Sequence, residues 1–340
     1  MAQGNASYRY RDTAVLSVVG LEAPVVVTSA QIDDLMAGTL ERLGLRPGML
    51  EMLTGVQERR WWPEGFSFSD AAAMAGAKAL SEAGVEAHQV GLLINTSVSR
   101  AHLEPSTAAS IHHALKLPDT ALNFDITNAC LGFINGIQVA ANMIDAGQIR
   151  YALIVAGEDA RGTHQATLER LQGPETTRED VRSQLATLTL GSGAAAMVLA
   201  AAGEHPQGHR LVGGVSRAAT RHHELCVGDL TGMRTDARKL LEAGLDLAEQ
   251  TWAHVGDWDW QNMDLYAIHQ VSVVHTRGVV ERLNLDPRRV PMSLPLLGNI
   301  GPASWVLTLA QHVDSLSGGD RVLCMGMGSG MNTCALEIAW

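Results

Sequence analysis

The sequence predicts an α/β protein built from two related halves. Short apolar runs bounded by Gly, Asn and Asp alternate with helical patterns, as in proteins whose helices cover the faces of a sheet. The later part of the chain repeats the pattern of the earlier part. With 340 residues the chain is longer than one typical core, which fits two halves that share a central layer.

The elements of the first half follow from their apolar patterns. The apolar stretch 13–27 predicts a first strand, and we expect no leader peptide there because Glu22 and Pro24 interrupt it. The polar segment 162–184 predicts an insertion on the surface or over a site. The other expected elements are an Ala-rich helix at 70–83, a helix at 106–115 and buried strands at 90–95, 121–126, 151–157 and 194–199.

The second half repeats these elements. The strand at 265–269 resembles that at 91–95, a glycine turn at 298–304 opens a helix as Asn128-Ala129-Cys130 does, and 321–325 resembles 151–156. We therefore divide the chain into an N-terminal half, 1–200, and a C-terminal half, 201–340. The nucleophile candidate Cys130 lies in the first half, and His269, Asn299 and the glycine loop lie in the second.

Composition excludes several classes of function. The net charge of −11 and the lack of a Lys/Arg run argue against a nucleic-acid partner, although a few Arg could still hold a coenzyme phosphate. The sequence has no run of about 20 apolar residues, so we expect no membrane span. The four cysteines have neither metal-ligand nor disulfide spacing, so we expect no metal and a cytoplasmic location.

Cys130 is the leading candidate for a nucleophile. It lies where an extended stretch gives way to a helical pattern, and the positive end of a helix favours the thiolate. A buried structural cysteine is the alternative at this point, because free thiols are often part of a core.

Two polar side chains in the second half can act as hydrogen-bond donors. His269 follows an apolar strand, at the sheet edge where α/β proteins bind ligands, and Asn299 lies in a glycine turn before a helix. Together they could stabilise an oxygen that gains negative charge, and the glycine loop 326–330 could add backbone N–H groups. A satisfied core histidine and a helix cap are the structural alternatives.

These motifs resemble the condensing enzymes of the thiolase superfamily, in the ketoacyl synthase III branch, over nearly the whole chain. The segment 54–60 (Thr-Gly-Val-Gln-Glu-Arg-Arg) resembles the early signature of that branch, and the motifs around Cys130, His269 and Asn299 follow in the family order. The Gly-His-Pro motif of degradative thiolases is missing. Segments 93–100 and 103–108 resemble the members that act in bacterial long-chain olefin biosynthesis.

The resemblance implies a five-layered α/β/α/β/α thiolase fold and a non-decarboxylative Claisen condensation of two long-chain acyl-CoA molecules. Cys130 would carry the first acyl group, and Glu104, donated across a homodimer interface, would deprotonate the second. His269 and Asn299 would hold a thioester oxygen, and the backbone N–H groups of Cys130 and Ser329 would hold the acyl-enzyme carbonyl. Coenzyme A would serve as substrate carrier without a permanently bound cofactor, and later olefin-biosynthesis enzymes would be partners.

Several assignments keep alternatives. Glu104 could be an ordinary carboxylate in the first turn of a helix, and Arg59 and Arg60 could bind coenzyme phosphates or form a solvated pair. Leu297 stands where the branch often has His, and Cys324 is expected to be a buried strand residue. The rival functions are an α-pyrone-forming ketosynthase, a malonyl-dependent ketoacyl synthase III and a non-catalytic subunit.

Overall fold

The computed structural model describes residues 4–340. The strands are β1 (Ala6–Arg9), β2 (Thr13–Glu22), β3 (Val25–Thr28), β4 (Glu58–Trp61), β5 (Leu92–Asn95), β6 (Leu122–Asp125), β7 (Tyr151–Glu158), β8 (Gly193–Ala201), β9 (His209–Ala218), β10 (Cys226–Asp229), β11 (Gly232–Thr235), β12 (Leu265–Ile268), β13 (Arg321–Gly328) and β14 (Asn332–Ala339). The helices are α1 (Ser29–Leu35), α2 (Ala37–Leu43), α3 (Met49–Thr54), α4 (Phe68–Ala83), α5 (Thr107–Ala114), α6 (Gly132–Asp145), α7 (Arg161–Leu171), α8 (Arg178–Leu188), α9 (Ala237–Trp252), α10 (Val273–Arg282), α11 (Leu294–Leu297) and α12 (Ser304–Ala310).

Both halves of the chain use one sheet topology. The first half has the strand order β2-β8-β7-β5-β6, and the second has β9-β14-β13-β12. In each half the first strand is antiparallel to the last, and the last is antiparallel to the sheet strand just before it in the chain (β7 or β13). That strand is parallel to the second strand of the sheet (β5 or β12). This match confirms the two related halves. Among the described residues the edge strand β6 has no counterpart in the second half, and the predicted division at residue 200 falls near the end of β8.

The helices form three layers around the strands. Helices α4 and α5 cover the first half's strands, α6 and α12 lie between the two sets of strands, and α9 and α10 cover the second set. The middle layer is the centre of the largest apolar core, in which Phe133 of α6 packs edge-on against Trp305 of α12 with ring centroids 5.7 Å apart. Full burial of such side chains stabilises the fold by roughly 2–3 kcal/mol each. The predicted α/β/α/β/α layering is therefore confirmed.

The structure differs from the sequence-based expectations in three places. The stretch 13–27 forms two strands, β2 and β3, because the chain turns at Glu22 to Pro24. The segment 162–184 is mostly helical: α7 and α8 bury Leu168 and Val181 against α1 and α2, which a reading of overall polarity did not anticipate. The two halves also share one continuous sheet, since β2 pairs briefly with β9. No helix within residues 4–340 has the length and apolarity needed to cross a membrane.

Candidate active site

Cys130 lies in a tight turn between β6 and α6. The residue before it, Ala129, has a φ of 45°, a left-handed conformation that is strained for a residue with a Cβ. Gly132 allows α6 to begin directly against β5, because a Cβ there would lie 2.9 Å from the carbonyl oxygen of Thr96. The turn thus fixes Cys130, a partly exposed residue whose thiol is buried, at the start of the central helix.

The protein environment raises the pKa of the Cys130 thiol rather than lowering it. Burial, and after it the negative charge of Glu158, raise this pKa to about 12, against the opposing effect of the backbone N–H of Cys130. The expectation that the helix N-terminus yields a thiolate at neutral pH is therefore wrong for the resting site.

His269 follows β12 and is held by its backbone. Its N–H donates to the carbonyl oxygen of Met325 at 2.8 Å, and its side chain is only 2 % exposed. Neither ring nitrogen has a hydrogen-bond partner in the structure. Burial lowers its pKa to about 3, and His275 adds to that effect, so the imidazole is neutral at neutral pH. A buried polar group without a partner costs free energy, which favours a role for His269 toward a ligand.

Asn299 is oriented by the turn that contains it. Its side-chain Oδ1 accepts from the N–H of Gly301 at 2.9 Å and lies 3.5 Å from the hydroxyl of Ser304, while its backbone pairs with Thr189 and Gly191. Because Oδ1 is used by the turn, Nδ2 is the part of the amide that remains to donate. The helix-cap alternative is wrong, because the 3₁₀ turn at 301–303 and α12 begin after Ile300 and Ala303 without a side-chain cap. The donor role of Nδ2 stays a prediction.

The glycine loop packs directly against the Cys130 turn. It forms the hairpin between β13 and β14, and a Cβ at Gly328 would lie 3.1 Å from the carbonyl oxygen of Asn128. A Cβ at Gly326 would meet Leu131 at 2.7 Å. Since Met325, which binds the His269 backbone, precedes this loop, the structure brings Cys130, His269 and the region of Ser329 to one end of the strands. Cys324 is fully buried in β13, as expected.

The structure places Glu104 on the surface. It lies in the exposed connection between β5 and α5, next to Leu103, which is 98 % exposed. The nearby edge strand β6 leaves Leu122 51 % exposed. Glu104 lies outside α5, so it is not a first-turn helix carboxylate. Within this single chain it has no described hydrogen bond or ion pair.

Arg59 and Arg60 point in opposite directions from β4. Arg59 is fully buried and donates to the carbonyl oxygen of Val27 and the hydroxyl of Ser29, so the expected contact with a coenzyme phosphate does not fit Arg59 in this conformation. Arg60 is partly exposed and pairs with Glu58 at 3.0 Å. A phosphate contact stays a prediction for Arg60.

Sequence reasoning missed Glu158. This residue ends β7, is 7 % exposed and accepts hydrogen bonds from the segment that leads to Glu104. Burial raises its pKa to about 7, against the opposing effect of those bonds and of Arg100. The available signal was a carboxylate directly after a buried strand, at the sheet edge where His269 was found. Among residues 4–340 no group of His, Cys, Asp and Glu could hold a metal ion.

Comparisons with known proteins agree with this geometry. Family models of 3-oxoacyl-[acyl-carrier-protein] synthase III match residues 124–170 and, for its C-terminal part, residues 254–340. The acyl-CoA:acyl-CoA alkyltransferase of Xanthomonas campestris is 42% identical over 97% of this chain and 99% of its own length. The Shewanella oneidensis protein of the same name is 37% identical, over 94% of this chain and 96% of its own.

A solved structure shows the same fold with ligands. A cysteine-to-serine variant of Xanthomonas campestris OleA with bound lauric acid and lauroyl-CoA superposes with a TM-score of 0.95 at 41% identity, covering 97% of this chain and all of that one. Fold and site thus define a thiolase-fold condensing enzyme. The chain belongs to the OleA family of acyl-CoA:acyl-CoA alkyltransferases and is an acyltransferase.

Proposed function

We propose that this enzyme joins two long-chain fatty acyl-CoA molecules by a Claisen condensation without decarboxylation. The observation that carries the proposal is the union of a strained nucleophile turn at Cys130 with two donors, His269 and Asn299, in a chain 42% identical to an acyl-CoA:acyl-CoA alkyltransferase. The binding of lauroyl-CoA by a related OleA supports coenzyme A as the substrate carrier.

In the first step Cys130 takes an acyl group from coenzyme A. Its sulfur attacks the thioester carbonyl, the bond to the coenzyme sulfur breaks, and coenzyme A leaves as the thiol. Because the pKa of Cys130 is raised to about 12, attack needs a proton acceptor, and the neutral imidazole of His269 keeps one acceptor nitrogen. Backbone N–H groups of Cys130 and Ser329 would stabilise the oxyanion.

In the second step Glu104 would remove a proton from the carbon next to the thioester carbonyl of a second acyl-CoA. His269 and Asn299 would donate to the enolate oxygen that forms. The carbanion attacks the acyl-Cys130 carbonyl, a carbon–carbon bond forms, the carbon–sulfur bond breaks, and the thiol regains a proton. The product is a 2-alkyl-3-ketoacyl-CoA.

We further propose a homodimer in which Glu104 acts in the partner's site. Three features support this arrangement. Strand β6, which precedes Cys130, is an edge strand whose outer side is open. Leu122 on this strand is half exposed, and Leu103 beside Glu104 is almost completely exposed. Such apolar exposure beside an open edge is typical of an interface between subunits. The product would pass to later olefin-biosynthesis enzymes. The four cysteines are all free, which supports the cytoplasmic location that we propose.

Mass spectrometry of products tests the proposal. Wild type given lauroyl-CoA alone should form the 2-alkyl-3-keto product or the ketone derived from it. Cys130→Ala should lose acylation and product, whereas Glu104→Ala should still acylate Cys130 and lose only the product. Acylated wild type that couples only when a malonyl or β-ketoacyl donor is added would contradict the proposal and indicate an extending or pyrone-forming synthase.

A further inference from the structure

The segment that carries Glu104 is exposed at its tip and anchored at both ends. At its far end Asp125, the last residue of β6, accepts from the N–H groups of Thr107 and Ala108 at the start of α5, at 3.0 and 2.9 Å. Arg100 ties the segment to the same strand end, since it donates to the hydroxyl of Thr127 and lies 3.6 Å from Asp125. The connection is therefore fixed to the chain that leads into Cys130.

The near end of the segment is held by Glu158. One carboxylate oxygen accepts from the N–H of Val98 at 2.6 Å, and the other accepts from the N–H of Ser99 at 2.9 Å and from its hydroxyl at 2.6 Å. The hydroxyl of Ser99 in turn accepts from the N–H of Asp159. Three donors engage both oxygens of this carboxylate and hold it against the segment.

Glu158 also faces the turn that orients Asn299. A Cβ at Gly301 would lie 3.6 Å from the carboxyl carbon of Glu158, an ordinary van der Waals distance, so the carboxyl group packs beside this turn. The N–H of this same Gly301 donates to Asn299. One buried carboxylate thus lies between the Glu104 segment and the Asn299 turn.

We propose that Glu158 is a positioning residue for the condensation step, which fixes the start of the Glu104 segment against the Asn299 turn. The inference rests on the proposed function of Glu104. Glu158 does not act as the base itself, because both of its oxygens are directed at the segment and occupied there. Glu158 affects the reaction only indirectly, by holding Glu104 in place.

The chemistry of the contact requires a carboxylate. Glutamine has one acceptor oxygen, and its Nε2 would face a donor, either a backbone N–H or the Ser99 hydroxyl. Aspartate keeps both acceptors on a side chain one methylene shorter. Glu158→Gln should therefore loosen the segment, and Glu158→Asp should restore part of the contact.

Two half-reactions separate a positioning role from a general loss of structure. Acylation of Cys130 by lauroyl-CoA, followed by intact mass after rapid quenching, does not use Glu104, whereas formation of the coupled product does. Loss of the Glu158 charge removes one cause of the raised Cys130 pKa, so Glu158→Gln should acylate Cys130 at no less than about a third of the wild-type rate. Its coupling rate should fall by about ten- to a hundredfold, as expected for a misplaced catalytic group. Glu158→Asp should recover part of that rate.

Controls keep the test decisive. Glu204→Gln removes an exposed carboxylate paired with Arg150 and should change neither half-reaction. If Glu158→Gln does not fold, Ser99→Ala removes one of the three donors and should show the same selective loss, about threefold. Equal losses in both half-reactions, or unchanged coupling in Glu158→Gln, would overturn the inference.

The parallel variant Glu104→Ala separates this inference from the proposed function. If wild type forms no coupled product from lauroyl-CoA, the proposed function fails. If wild type couples, Glu104→Ala does not, and Glu158→Gln couples normally, only the positioning role fails.

Discussion

The two halves of the chain use one topology but differ in the polar side chains at the ends of two matching strands. Strands β5 and β12 are the second strands of their halves. Asn95 ends β5 with its side chain fully used: Nδ2 donates to Asp125, and Oδ1 accepts from the hydroxyl of Ser97 at 2.6 Å. His269, directly after β12, is equally buried and has no partner on either ring nitrogen. The polar side chain at this strand end is bonded within the fold in the first half and has no partner in the second.

The helix starts of the two halves show the complementary difference. Helix α6 follows the strained turn with the Cys130 thiol, whereas α12 follows a turn whose amide, Asn299, is half used by the backbone. The first half also has the extra edge strand β6, and with it the anchored connection to Glu104. Our proposal divides the chemistry between the two halves: the proposed nucleophile and base lie in the first, and the proposed donors lie in the second.

Substitution of the two strand-end residues, His269 and Asn95, tests this difference between the halves with the largest expected effect. His269→Ala should lower the rate of coupling about a thousandfold, because it removes a donor and an acceptor from the reacting atoms. Its melting temperature should change little, since the imidazole makes no hydrogen bond within the chain. Asn95→Ala should instead lower the free energy of unfolding by about 1–3 kcal/mol, because Asp125 and Ser97 lose a buried partner. Thermal unfolding and product mass spectrometry on both variants check the pair.

The comparison would be wrong if His269→Ala were destabilised and Asn95→Ala were not. His275→Ala is a matched control: its imidazole is also buried but lies on α10, so its loss should affect coupling far less than the loss of His269.

Asn299→Asp tests whether the oxygen and the nitrogen of the Asn299 amide have separate roles. Aspartate keeps an oxygen for the N–H of Gly301, so the turn should fold, but it replaces the Nδ2 donor with an acceptor. Coupling should fall about a hundredfold, a typical effect for one oxyanion donor. Steady-state kinetics with lauroyl-CoA checks this, and a wild-type rate in a folded Asn299→Asp protein would show that Nδ2 donates to nothing in the reaction.

The smallest effect concerns the resting thiol. Since burial and Glu158 hold the pKa of Cys130 near 12, its alkylation by iodoacetamide should be slow at pH 7 and rise with pH without levelling before about pH 10. Modified-peptide mass spectrometry follows Cys130 specifically, with the Cys130→Ala protein as the control. A plateau below pH 9 would mean that the thiolate forms readily in the resting enzyme.

Local sequence signals predicted much of this architecture. Apolar runs located β5, β7, β8, β12 and β13, and the repeat between the halves anticipated their common topology. The motifs also located Cys130, His269 and Asn299 at element ends. These features were predictable because each depends on neighbours in the chain.

What the sequence did not predict depends on contacts between distant segments. Arg59 is buried by packing of β4 against α1 and its neighbours, and Glu158 acquires its role only through Val98 and Ser99, some sixty positions away. The raised pKa of Cys130 likewise comes from its surroundings and opposes the local effect of the helix end. Tertiary packing determines such properties, and a local motif contains no information about contacts with distant segments.

A mixed-dimer experiment tests the central claim, that Cys130 and a partner's Glu104 make one condensing site. Separately inactive Cys130→Ala and Glu104→Ala proteins are unfolded, mixed in equal amounts, refolded together and given lauroyl-CoA. The account predicts coupled product at about a quarter of the wild-type rate, because half of the dimers are mixed and each has one complete site. No product from a mixture that contains mixed dimers, shown by native mass spectrometry, would contradict it.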